Sequence, residues 1–159
     1  MEFSKVIAAR HSVRSFKDRG VDREVIDAIL DQTATAPSSK NSRSSAFMVV
    51  DDRDTLLALS EMRSSGSALL KGAACAIVVL GDTSKTDLWI ENAAISATYI
   101  QLCATNLGLG SCWVHVNGRL RDKHDPSKGL AEDYVRDLLA IRDGFGKVLP
   151  LSIFVRLKR

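Results

Sequence analysis

Residues 87–107 constrain the fold of this chain more than any other stretch. From Asp87 to Leu107, Ile90, Ala93, Ala94, Ala97, Ile100, Leu102 and Ala104 recur at helical spacing and leave the helix apolar around most of its circumference. Such a helix must be enclosed on nearly every side, and Gly108 is a fitting stop. The chain has 159 residues, enough for one well-buried domain over 1–159 and too few for two ordinary ones. A second copy of the chain is therefore an economical cover for that helix.

The remaining pattern alternates helix and strand. Residues 3–9 suit a short first helix. Val25, Ile26, Ile29 and Leu30 predict a second, with Asp22 as N-cap and Pro37 beyond its end. Ala46 to Val50 reads as a strand, and Asp51 to Asp54 supplies cap candidates for a helix carrying Leu56, Leu57, Leu59 and Met62. After a break at Ser64 to Ser67, Ala73 to Leu80 is a near-continuous apolar run of the kind buried on both faces, which places it centrally. Cys112 to Val116 predicts a strand, Arg119 to Gly129 a polar loop, Glu132 to Ile141 a helix and Val148 to Val155 a last strand. Early clustered helices and few strands point to an α+β layer structure, not a doubly wound nucleotide fold.

Charge and cysteine usage narrow the function. Net charge is only +3, with basic residues dispersed among acidic ones except near both ends and around Arg119 to Lys128, so no broad face for nucleic acid is expected. Cys75, Cys103 and Cys112 are odd in number, lack CxxC spacing and sit in apolar contexts, which predicts a reduced, cytoplasmic protein. The N-terminus lacks signal-peptide organisation, and no apolar run approaches the ~20 residues of a membrane helix. Neither export nor a membrane is expected.

Arg10-His11-Ser12-Val13-Arg14 places two guanidinium groups and a hydroxyl at every second residue. If extended, Arg10, Ser12 and Arg14 project to one side; if helical, Arg10 and Arg14 still share a face. Both arrangements suit an anion such as phosphate, and a solvated basic turn is the plain alternative. Pro37-Ser38-Ser39-Lys40-Asn41-Ser42 gathers hydroxyl, amide and ammonium groups that could serve a polar heterocycle, although ordinary loops have the same composition. Leu107-Gly108-Leu109-Gly110-Ser111 contains GxG but follows a helix and precedes a strand, the reverse of a dinucleotide fingerprint. A helix cap and a turn explain it, leaving backbone free to approach a ligand. His11, His115 and His124 are scattered, no metal-ligand spacing occurs, and Walker and GxSxG motifs are absent.

Taken in order, Arg10-His11-Ser12-Val13-Arg14, Ala36-Pro37-Ser38-Ser39-Lys40-Asn41 and Leu107-Gly108-Leu109-Gly110-Ser111-Cys112-Trp113-Val114 make residues 1–145 resemble the FMN-dependent nitroreductase family. The resemblance implies an α+β nitroreductase-like fold: a central, mostly antiparallel sheet flanked by helices, in an intertwined homodimer with FMN at the interface. Arg10, Ser12 and Arg14 would hold the FMN phosphate and ribityl end, with His11 beside them. Pro37, Ser38, Ser39 and Asn41 would come from the other subunit toward the flavin ring, and Trp113, Val114 and His115 would lie against it. No side chain is then needed as catalytic acid or base, because the flavin carries the chemistry. NADH or NADPH would reduce it, and a nitroaromatic, quinone or similar small-molecule electron acceptor would reoxidise it in ping-pong fashion. Two departures stand out. Ser42-Arg43-Ser44-Ser45 replaces a Gln-Pro-Trp-like run, and Gly146 to Arg159 lacks a Gly-Tyr-Pro-like turn, leaving Arg156, Lys158 and Arg159 as candidate substitutes for basic contacts to the phosphate. They keep open a second reading, an FMN-binding protein of the same fold with little or no turnover.

Overall fold

The computed structural model describes residues 1–17, 19–141 and 151–157, the last as strand backbone and pairing. Its centre is β2 (Cys75–Gly81), in which every residue is buried. Removing Ile77, Val78, Val79 and Leu80 from water contributes roughly 1.5–3 kcal/mol each, and a strand so apolar cannot sit at an edge. β1 (Ser45–Val50) and β4 (Leu151–Leu157) flank it, and β3 (Leu109–His115) pairs with the far side of β4. All three pairings are antiparallel, in the order β1-β2-β4-β3.

Strand alternation sends β2 into two cores. Cys75, Ile77 and Val79 meet Ile26 and Ile29 of α2 (Arg23–Thr33) and Ala93, Ala97, Ile100 and Ala104 of α4 (Trp89–Asn106). Ala76, Val78 and Leu80 face the opposite layer, with Leu56 and Leu59 of α3 (Arg53–Ser60) and Val135 of α5 (Ala131–Leu138). The α+β architecture read from the sequence is the one observed. α1 (Phe3–Ala9) packs across α4. No helix among the described residues is long and apolar enough to cross a membrane.

α4 runs where its pattern placed it, and Gly108 follows with φ +79°, a backbone that an L side chain resists. Its enclosure is incomplete within one chain: Ile90 is 45% exposed, and Tyr99 and Leu102 are half-buried. β3 starts at Leu109, three residues before the Cys112 start expected, because pairing of Leu109 and Gly110 with Leu157 and Arg156 extends the ladder through the glycine turn. α5 ends at Leu138, earlier than Ile141. Asp22 precedes α2 in extended geometry but makes no side-chain cap bond, whereas Asp52 caps α3 by accepting the Thr55 N–H at 2.8 Å. The expected loop after Arg119 is pinned by a Leu120–Leu130 bridge and a Lys128–Asp122 ion pair of 2.9 Å. Val148 to Pro150, the expected start of the last strand, lies outside the described residues, as do Lys158, Arg159 and the Arg156 side chain.

Candidate functional site

The first candidate segment leaves α1 in extended form and crosses the outer edge of β3. Ser12 bridges Ser111 in parallel, and the Val13 N–H donates to the Ser111 carbonyl at 2.9 Å. Gly110 makes this crossing possible, since a Cβ there would stand 2.9 Å from both Val13 methyl groups. Of the two geometries left open by the sequence, extended is the one found. The Arg14 guanidinium and the Ser12 hydroxyl both act on the Cys112 thiol, pulling down a pKa that burial raises more strongly. Among the described residues, Arg10 and Arg14 have no carboxylate within ion-pair distance. His11 is exposed, its Nδ1 donating to the Ala9 carbonyl at 2.9 Å. Ser111, 2% exposed, has a hydroxyl with no hydrogen-bond partner among the described residues.

Farther along the same edge come Trp113, Val114 and His115. The Ser111 carbonyl points outward to Val13, so strand alternation points the backbone groups of Trp113 and His115 outward as well. The His115 carbonyl accepts from Arg63 Nη1 at 2.9 Å. No loop or helix carbonyl among the described residues accepts the Trp113 N–H between them. The Trp113 side chain is half-buried against the α2/α4 core, and Val114 is buried in the opposite one. His115 is half-buried; burial pushes its pKa down, and the Arg119 and Arg63 cations add to that.

The second candidate segment lies elsewhere. Ser39–Asn41 forms a 3-10 turn held by Asn92, a residue of α4 that is only 2% exposed. The Ser39 N–H donates to Asn92 Oδ1 at 2.9 Å, and Asn92 Nδ2 donates to the hydroxyls of Ser42 at 3.2 Å and Ser44 at 2.9 Å. The Ser38 hydroxyl accepts the Arg43 N–H at 2.9 Å. Pro37 and Asn41 are exposed. Lys40, Asn41 and Arg43 have φ of 50°, 53° and 46°, a concentration of left-handed backbone costing on the order of 1 kcal/mol per residue, less for Asn.

The two segments do not meet within one chain. Ser12 sits beside Ser111, in the row that runs through Val155 to Cys75, while Ser45, where the loop enters β1, lies opposite Gly81 at the other end of β2. They occupy diagonal corners of the sheet, about 20 Å apart along the strands and about 19 Å across them. Neither Asn92 nor Arg63 stood out in the sequence. A polar residue on an otherwise apolar helix was the available signal for Asn92, and Arg63 carried none.

A family profile described as "Nitroreductase family" matches residues 7–67. The chain is 36% identical over 119 residues to a protein of Methanothermobacter thermautotrophicus provisionally named NADH dehydrogenase/NAD(P)H nitroreductase, covering 73% of this chain and 62% of that relative, less than two thirds of its length. A protein of the same name from Archaeoglobus fulgidus is 36% identical over 122 residues, covering 74% of this chain and 70% of the relative. Among solved structures, an FMN-dependent nitroreductase from Clostridium difficile R20291 superposes with a TM-score of 0.86 at 40% identity, covering 96% of this chain and 86% of that one.

Proposed function

The chain belongs to the nitroreductase family, and from that premise we propose that it is an FMN-dependent oxidoreductase. NAD(P)H would be its electron donor and a nitroaromatic, quinone or similar electrophile its acceptor. The observation that carries this reading is the crossing of β3 by residues 10–14. It presents two guanidinium groups that have no acid partner among the described residues beside an outward Trp113 N–H. A flavin mononucleotide fits such a donor set: guanidinium and hydroxyl groups suit its phosphate, and an outward strand N–H suits an acceptor atom of its ring. Arg10, Ser12 and Arg14 would bind the phosphate end with His11 at its side, while Trp113, Val114 and His115 would orient the ring. When bound, FMN supplies the hydride chemistry, taking electrons from the nicotinamide and passing them to the acceptor. The protein's own residues then bind, orient and exclude water, and none has to move a proton.

The diagonal separation of the two segments supports a homodimer in which Pro37, Ser38, Ser39 and Asn41 of one copy complete the site on the other. The apolar surface agrees: Phe3 is 67% and Ile7 53% exposed on α1, next to the uncovered side of α4. Between these helices runs a groove of about 340 Å³ lined by Phe3, Tyr99 and Leu102. A second copy would cover it.

The test is a visible spectrum after FMN reconstitution and gel filtration, followed by anaerobic NADH or NADPH. Retained flavin that bleaches, eluting at twice the chain mass, is expected. Flavin retained without bleaching would replace this reading with a binding role, and a protein that retains no flavin would refute it.

A further inference from the structure

A second group of uncompensated cations stands at the end of β3. Arg63, in the turn after α3, reaches the His115 carbonyl at 2.9 Å. Arg119 sits in the turn that follows, closed by its own N–H to the Val116 carbonyl at 3.0 Å. The half-buried His115, two residues from Asn117 and four from Arg119 along the chain, is within electrostatic reach of both guanidinium groups, which add to burial in pushing its pKa down. Among the described residues no carboxylate comes within ion-pair distance of Arg63 or Arg119. Glu132 of α5 is engaged with the Gly118 N–H at 2.9 Å, and Arg121 turns its guanidinium over the Tyr134 ring at 3.9 Å.

Two guanidinium groups around one imidazole repel each other unless an anion joins them. The place matters as much as the charge. His115 is two residues past Trp113 on the same outward edge, about 7 Å along the strand, so a planar molecule stacked on a ring lying at Trp113 could extend one charged substituent into the cluster. We propose that Arg63 and Arg119 form an anion subsite at the rim of the flavin pocket. It receives a carboxylate or phosphate of the molecule that exchanges electrons there. For its distance to the reacting ring the assignment rests on the flavin reading above; the cation cluster does not depend on it. Either the nicotinamide donor or the acceptor could bring the anion, and the chemistry recognised is the same.

The experiment uses the full chain, apo and FMN-reconstituted, with ¹³C-labelled histidine. Inorganic phosphate should raise the His115 pKa by about half a unit, and the response should vanish in the Arg63→Gln/Arg119→Gln double variant but persist in Arg119→Lys. Absence of a His115 response in the wild type, or the same response in the double variant, overturns the proposal. In the reconstituted enzyme, the double variant should lose roughly tenfold in one of two kcat/KM ratios. NADPH over NADH assigns the anion to the donor, 4-nitrobenzoate over nitrobenzene to the acceptor, and constancy of both ratios overturns the proposal. A wild type that binds no FMN refutes the flavin reading alone, because the histidine titration still decides the subsite.

Discussion

Asn92 is the side chain on which the 38–44 loop hangs, and Asn92→Ala tests whether that loop is built in advance of any ligand. The substitution removes three hydrogen bonds, from the Ser39 N–H and to the hydroxyls of Ser42 and Ser44. At about 1 kcal/mol each the loss is about 3 kcal/mol; Ser42 can turn to water, but Ser44 is 1% exposed and cannot. Strain pulls the other way. Lys40, Asn41 and Arg43 lie in left-handed backbone only while the loop is tethered, and release returns part of that cost. A net loss of about 2 kcal/mol remains, which in a chain of this size lowers Tm by roughly 4–8 °C. The loop should open more than the core weakens. Amide exchange at Ser39 should accelerate while β2 amides keep their protection, and calorimetry supplies Tm. A Tm lowered by less than about 2 °C with Ser39 exchange unchanged would refute the view that Asn92 holds the loop in its strained form.

Other perturbations address the β3 edge. Arg10→Ala with Arg14→Ala should weaken FMN binding by roughly 1.5–3 kcal/mol per contact, read as quenching of flavin fluorescence; wild-type affinity would remove both residues from the phosphate site. Gly110→Ala puts a methyl 2.9 Å from the Val13 methyl groups, so residues 10–14 should lift off β3 with a stability cost of about 1–3 kcal/mol and weaker flavin retention, both visible in one denaturant titration with and without FMN. The folded pKa of His115 lies below its unfolded value, so the folded form favours the neutral ring; the stability this gives is present above about pH 6.5 and is lost as pH falls through the folded value. His115→Asn should flatten that part of a stability–pH curve, and an unchanged curve would place the titration elsewhere.

Much of the fold was legible because its signals are local. The uninterrupted apolar run of β2 could only be central, and the Val25, Ile26, Ile29, Leu30 spacing could only be a helix, with Ile26 and Ile29 fully turned inward. Boundaries set by distant partners were not legible. The early start of β3 depends on Leu157 and Arg156, some fifty residues away, and nothing in Leu109-Gly110 announces a strand. At the site, the spacing of Arg10, Ser12 and Arg14 left extended and helical geometries both open, and the strand that the extended segment crosses could not be read. Gly110 reads in the sequence as part of a cap and turn, while its structural role is to admit the Val13 side chain. Asn92 was hidden for a related reason: its three bonds reach residues about fifty positions earlier, and one amide on an apolar helix does not reveal its partners.

The arrangement also gives a physical reason why the proposed chemistry would call for two copies of the chain. An edge strand such as β3 is exposed to unwanted pairing, and among the described residues the backbone of residues 12–13 pairs with its first half while no backbone group pairs with the outer side of the Trp113 stretch. At the diagonal corner, the 38–44 loop spends strain energy on a conformation that touches nothing in its own β3 edge. Both oddities have one resolution if a second copy places its loop over the open stretch, with the exposed faces of α1 and α4 joined between them. Flavin binding and dimerisation would then be thermodynamically linked, each strengthening the other by the same free energy. Dilution should weaken FMN binding, and because a symmetric dimer carries two equivalent sites, FMN should lower the dimer dissociation constant by the square of the factor by which dimerisation tightens each site. Measuring the two independently, by sedimentation and by flavin fluorescence, checks that reciprocity, and a flavin affinity independent of protein concentration across the dimer transition would break the argument for a site shared between copies.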